Sequence, residues 1–181
     1  MPKCSREETK KKREEIVDAC SKLYETMAYK DITIKEIGRF TSFTRTSIYN
    51  YFATKEEIFL ELLMRDFRSW IEDLDSIPAK GELLTIDEAA DGLAGSLARR
   101  VRMLGLLSMS LADMQDNCRM ENLIEFKRFI TTQALPFEEF WKELLRKSAK
   151  KTHKPLCVPF IHSFTGFIHI QPPTKSRKKR I

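Results

Sequence analysis

The stretch TRTSIYNYFATKEEIF, residues 44–59, sets two tyrosines, an arginine and several hydroxyls side by side and then opens a fresh helix at Thr54. Such a density of hydrogen-bonding tips suits a surface that must meet another polar surface. On a helix, residues two apart lie on different faces, so Tyr49 and Tyr51 cannot both point inward.

Working outward, TIKEIGRFTSFTRTSIYNYF, residues 33–52, reads as a short helix, a turn at 41–43 and a second short helix. That order is a helix-turn-helix, in which the second helix enters the major groove N-terminal end first and the first lies across the backbone. Ile34, Ile37, Phe43, Ile48 and Phe52 are expected to hold the pair together, leaving Arg45, Thr46, Ser47, Tyr49, Asn50 and Tyr51 for display. Arginine can take a guanine bidentately, threonine can bond a base edge or touch a thymine methyl, and a tyrosine hydroxyl can reach a phosphate. Lys55, at the start of the next helix, adds a phosphate contact. The plainer reading, that an aromatic-rich short helix is core, would suit a single Tyr.

Capping patterns organise the rest of the chain. Ser or Thr followed three residues later by Glu recurs at Ser5/Glu8, Thr33/Glu36, Thr54/Glu57 and Thr85/Glu88, and each box predicts a helix start. Apolar residues at helical spacing follow: Ile16, Cys20, Leu23 and Met27; then Ile34, Ile37 and Phe40. The helix from Thr54 carries Ile58, Leu62, Leu63, Phe67, Trp70, Ile71 and Leu74. At about twenty residues, roughly 30 Å, it is long enough to join two cores. Residues 76–85 form a turn-rich connector, after which Ile86, Ala90, Leu93, Leu97 and Val101 restart the pattern. A last pattern, Leu123, Phe126, Ile130, Phe137, Trp141 and Leu144, is expected to bend or break near Pro136. No strand period appears, so the expected fold is all-α: a three-helix head over 1–53, joined by a long helix to a helical body over 54–181.

The combination IKEIGRFTSFTRTSIYNYFATKEEIFLELL, residues 34–63, resembles the N-terminal domain of the TetR family of bacterial transcriptional regulators, whose pattern runs roughly T..IA..AGVS.GTLY.YF..KE.L. Ile37, Ile48, Tyr49, Tyr51, Phe52, Lys55, Glu56 and Ile58 match or substitute conservatively, and the likeness covers about residues 6–60. The resemblance implies that Tyr49 and Lys55 bind phosphates and that Thr33 contacts the backbone from its helix N-terminus. It also puts Thr44, Arg45 and Thr46 at the front of the recognition helix. Three positions depart from the pattern: Ser42 replaces the turn glycine, Phe43 the following valine, and Thr46 the glycine that allows close approach to DNA. The resemblance further implies a C-terminal body that holds a small-molecule inducer and forms a homodimer. Met103, Leu107, Met109, Phe126, Phe129, Phe137 and Trp141 are the candidates for its pocket, though each taken singly reads as core.

Charge and composition narrow the alternatives. The net charge of +6 divides into +4 over residues 1–55, −5 over 56–150 and +7 over 151–181, a basic head on an acidic body followed by a basic tail. A cationic head is what phosphate binding requires. Cys4, Cys20, Cys118 and Cys157 lack paired spacing and read as reduced thiols, which favours the cytoplasm. No membrane span or signal peptide is evident. His162 and His169 with Cys157 match no metal-ligand spacing, and no catalytic triad or phosphate loop stands out, so neither a metal, a cofactor nor an enzyme is expected. Residues 162–181 carry five basic residues, no acid and a double proline. They read as an irregular arm or, from one back-translation, as the product of a shifted reading frame. The leading expectation is a ligand-released repressor of a palindromic double-stranded operator; the rival is a helical interaction protein that keeps this fold without an operator.

Overall fold

The computed structural model describes residues 6–75, 86–108 and 116–134. Helix α1 spans Arg6–Tyr24 and leads through a 3-10 turn, Tyr29–Asp31, into α2 (Ile34–Arg39) and α3 (Arg45–Ile48). Helix α4 (Lys55–Asp75) is followed by α5 (Ile86–Ala98), α6 (Val101–Ser108) and α7 (Met120–Phe129), which widens into a π-helical turn at Ile130–Ala134. No strand occurs among the described residues, and the fold is all-α with an N-terminal helix-turn-helix.

Each capping box marks a helix start. Thr33 accepts from the Glu36 amide at 3.2 Å, and Thr54 from the Glu57 amide at 3.3 Å. The glutamates are used differently from a closed box: Glu36 pairs with Arg39 at 2.8 Å, and Glu57 accepts from the Ala53 amide at 2.8 Å, one residue before the cap. Helices α1 and α5 begin beside Ser5 and Thr85, which lie outside the described residues.

Burial explains why α4 is the axis of the molecule. Ile58, Phe59, Leu60, Leu62, Leu63, Met64, Phe67, Trp70 and Leu74 are all buried along it. Toward its start α4 packs on α1, which contributes Ile16, Val17, Cys20 and Leu23; it also meets α5, α6, α7 and the π turn, so one apolar cluster runs through head and body. The Phe59 ring takes edge contacts from Tyr24 and Tyr29 at centroid distances of 5.5 and 4.8 Å, tying both ends of the α1–α2 connection to α4. Polar joints flank this core. Arg102 of α6 holds Asp66 of α4 with two bonds, 2.9 and 2.6 Å, and Ser21 of α1 with a third, 2.7 Å. Gly105 lets α6 settle there, because a Cβ at this position would stand 3.1 Å from the Tyr24 hydroxyl.

Three expected apolar positions, Phe40, Ala90 and Val101, need correction. Phe40 does not complete the α2 face: the helix ends at Arg39, the chain turns away with Phe40 as its C-cap, and the ring is 60 % exposed. Val101 is 76 % exposed because the helix pattern breaks after Ala98 and α6 starts on a new phase; Ala90, within α5, is exposed as well. Within the π turn at Ile130–Ala134, Thr131 and Thr132 bond carbonyls three or four residues back, and the break expected near Pro136 is not tested by the described residues. Residues 76–85, Pro136, Phe137, Trp141, Leu144 and the tail lie outside the described residues, as does the side chain of Ile86.

Phe59→Ala is expected to cost about 3–5 kcal/mol, as large core truncations do, whereas Phe40→Ser should change stability by less than about 0.5 kcal/mol; urea melts of the two variants check the contrast. Gly38→Ala should stabilise by about 0.5–1 kcal/mol. Its new methyl meets Ile48 Cδ1 at an ordinary 3.5 Å, and the same melts would register a loss if α2 and α3 lie closer.

Candidate nucleic-acid interface

The recognition segment is set by a cap and an apolar pin. Thr44 has extended backbone and its hydroxyl accepts from the Ser47 amide at 3.2 Å, satisfying an otherwise orphaned donor of the first turn. Ile48, fully buried, pins the inner side of α3. Helix α3 is only four residues long; the chain continues in turns through Tyr51, with the amides of Asn50, Tyr51 and Phe52 bonded to the carbonyls of Ser47 and Ile48. Phe52, fully buried, ends the segment.

The preceding turn accommodates its unusual residues. Glu15 of α1 accepts from the Ser42 amide at 2.6 Å, so the turn backbone is satisfied from outside. Thr41 Oγ1 accepts from the Phe43 amide at 3.3 Å, and Phe43 packs on the core with its ring 6.1 Å from that of Tyr51. Ser42 and Phe43 therefore fit the turn without disturbing the helices they join.

Six of the nine sequence-derived DNA candidates, Thr33, Thr44, Arg45, Thr46, Tyr49 and Asn50, are exposed. Ser47 is half-buried with its hydroxyl 2.9 Å from that of Thr44. Tyr51 is half-buried against Phe43 and does not share the outward display of Tyr49, which is 44 % exposed. Lys55 is half-buried: its ammonium donates to the carbonyls of Tyr29 and Ile32 at 2.9 and 3.1 Å and sits 4.2 Å from the Tyr29 ring centroid. Two of its three protons thus hold the 3-10 turn against α4.

Four of the nine, Thr33, Arg45, Tyr49 and Lys55, border one groove. A concavity of about 550 Å³ lies between the N-terminus of α2, the outer side of α3 and the start of α4, bordered by Thr33, Lys35, Arg45, Tyr49, Thr54 and Lys55. Arg45 lies over the Tyr49 ring at 5.8 Å and donates to its hydroxyl at 3.4 Å, so the two side chains form one ridge on its wall. Lys35, Arg45, Lys55 and the hydroxyls of Thr33, Tyr49 and Thr54 are groups that can meet phosphate oxygens, and Glu56, whose carboxylate accepts from the Tyr29 hydroxyl at 3.0 Å, stands among them. Lys35 went unremarked in the sequence because it carries no capping or periodic signal.

Across the head, the end of the recognition segment is held by residues remote in sequence. The Tyr51 carbonyl accepts from Arg13 of α1 at 3.2 Å and from Arg119, just before α7, at 3.3 Å. Cations suit the free carbonyls at a helix end. Arg13 also pairs with Glu61 at 2.6 Å and lies 4.4 Å from the Phe52 ring centroid. Arg119 grips Glu57, whose carboxylate is fully buried, through Nε and Nη2 at 2.8 Å each and through its own amide at 2.9 Å. Burial, the largest single influence, pushes the Glu57 carboxyl up; the side-chain and backbone bonds from Arg119 and the Ala53 amide outweigh it and leave its pKa below the usual carboxylate value. Separations of 62 and 68 residues left neither bond any local signature.

Of the proposed ligand residues, Met103, Phe126 and Phe129 are buried in the common cluster and Leu107 packs on its edge. Phe129 also lines a groove of about 620 Å³ with Arg68, Ile124 and Arg128. Met109, Phe137 and Trp141 lie outside the described residues, as do Cys4, Cys157, His162 and His169. Among the described residues no helix is long and apolar enough to cross a membrane.

Two family models match the chain. Residues 16–62 match the N-terminal domain described as bacterial regulatory proteins of the tetR family, and residues 64–179 match a tetracyclin repressor-like C-terminal domain. The chain belongs to the TetR family. It is a DNA-binding transcriptional regulator of that family, and its head and body matches meet within α4. The C-terminal match extends to residue 179 and so includes most of the basic tail. No curated protein matches the chain.

With its folded pKa below its unfolded one, Glu57 contributes stability above the ordinary carboxylate range, and that contribution is lost as pH falls through the depressed folded value. Glu57→Gln should therefore be less stable than the parent at neutral pH and show a shallower loss toward about pH 3. Urea unfolding across that range measures both slopes, and parallel curves would remove Glu57 from the acid response.

Proposed function

We propose that this TetR-family regulator is a cytoplasmic repressor that binds a palindromic operator as a homodimer and is released by a small apolar or amphipathic ligand. The observation that carries the reading is the groove that joins Thr33, Arg45, Tyr49 and Lys55 beside the exposed front of α3. Phosphates would lie along it, contacted by Tyr49, by the hydroxyl of Thr33, and by Lys55 through its remaining proton. Thr44, Arg45 and Thr46 would then face base edges, with Asn50 beside them, and Ser47 would act through the Thr44 cap. Tyr51 serves by packing rather than by contact.

Groove geometry supports a dimer, because two recognition helices one helical turn apart read a palindrome far better than one. The body supports ligand release: Met103 and Leu107 of α6 face the same cluster as Phe126 and Phe129 of α7, and methionine adapts readily to an incoming apolar group. Its match to a tetracyclin repressor-like domain points the same way. The rival reading, an interaction protein without an operator, draws on the departures at Ser42, Phe43 and Thr46 and on the irregular tail; the bonded Ser42 amide and packed Phe43 weaken the first two of these grounds.

Selection of bound sequences from random duplex DNA tests the proposal. The parent should enrich a palindrome. Arg45→Ala should relax one position by about 1–3 kcal/mol, and Tyr49→Phe should weaken all sequences alike. Merely salt-sensitive binding without enrichment would leave the interaction-protein reading standing.

A further inference from the structure

Arg119 lies in the body, yet its side chain ends in the head. Its guanidinium bridges both oxygens of the buried Glu57 carboxylate, and one of its nitrogens also donates to the Tyr51 carbonyl. Glu57 in turn accepts from the Ala53 amide. A second stitch lies alongside, where the Thr54 hydroxyl donates to the Asn117 carbonyl at 3.0 Å. Residues 117–119 thus hold the closing turn of the recognition segment at Tyr51, Ala53, Thr54 and Glu57.

That turn sets the distance between two walls of the DNA groove. Tyr49 stands two residues before Tyr51, and Lys55 two residues before Glu57, and both border the groove. Between α3, which ends at Ile48, and α4, which begins at Lys55, the turn is held on one side by the Ser47 and Ile48 carbonyls, which accept from the amides of residues 50–52, and on the other by Glu57 together with residues 117–119. Arg119 is not among the residues bordering the groove, and its charge is taken up by Glu57. We infer that Arg119 is a positioning residue for DNA binding, holding the span from Tyr49 to Lys55 at the width the phosphate backbone requires. The inference rests on the DNA-binding reading of the head and adds to it a determinant supplied by the other domain.

A positioning residue and a phosphate contact differ in their response to salt. Losing a phosphate contact lowers the slope of log affinity against log salt by about 0.9, whereas losing a positioning residue lowers affinity at an unchanged slope. The test uses the full chain and the tightest duplex that the parent selects from a random pool. Arg119→Ala should weaken binding about two- to thirty-fold with the parent's salt slope. Arg119→Lys should recover only part of the loss, because an ammonium cannot bridge both carboxylate oxygens. Glu57→Gln combined with Arg119→Ala should be little weaker than the weaker single variant, since both remove one joint. In the DNA-free protein, exchange of the Ala53 amide should quicken in Arg119→Ala while the α1 amides from Ile16 to Leu23 keep their protection. Should Arg119→Ala fail to fold, the lysine variant and Glu57→Gln carry the same comparison. Faster Ala53 exchange with unchanged DNA affinity would overturn the positioning role, and so would a salt slope reduced by one contact. A parent that selects no duplex would overturn the DNA reading of the groove and this inference with it.

Discussion

The burial of α4 is the constraint from which the rest of the molecule follows. A helix whose inner residues from Ile58 to Leu74 must all leave water needs partners along its whole length, and no single small domain offers a surface that long. The head covers its first half with α1, and α5, α6 and α7 cover other parts. Burying a side chain such as Phe or Leu is worth roughly 1.5–3 kcal/mol, so the shared axis makes head and body contributors to one cluster. The two family domains meet within this helix, at residues 62 and 64, where no loop separates them.

Polar residues then decide how the elements sit around the apolar axis, which hydrophobic contact alone leaves loosely specified. Arg102 ties α6 to α4 and α1, Glu15 ties α1 to the turn before α3, and Arg13 ties α1 to the end of the recognition segment. Each joint crosses between elements and ends on a carboxylate, a hydroxyl or a backbone group. The consequence for function is a recognition segment only four helical residues long that is nevertheless held from several sides.

Much of this was legible in the sequence, and the remainder has a common cause. Capping threonines at 33 and 54 and the apolar rows of α1 and α4 located the helices, because capping and amphipathicity are local properties written within a few residues. The outward aspect of Thr44, Arg45, Thr46 and Tyr49 followed from the same periodicity. Phe40 misled because a helix end, rather than its period, decided its direction. Val101 misled because the break after Ala98 reset the phase. Tyr51 is less exposed than Tyr49, since the short α3 gives way to turns before reaching it and its ring packs beside Phe43. Glu57 and Arg119 were invisible as a pair: across a separation of 62 residues nothing announces that a glutamate of a capping box is met from the far side of the chain.

The buried Glu57 carboxylate also bears on how such regulators can diverge. A head transplanted onto another body would carry Glu57 with it but leave Arg119 behind, stranding a buried anion with the Ala53 amide as its remaining partner. Burying a charge without compensation is among the costliest single defects in a folded chain. Positions 57 and 119 therefore act as a pair: a change at one of them removes a partner from the other, and the cost falls on a carboxylate that has no access to water.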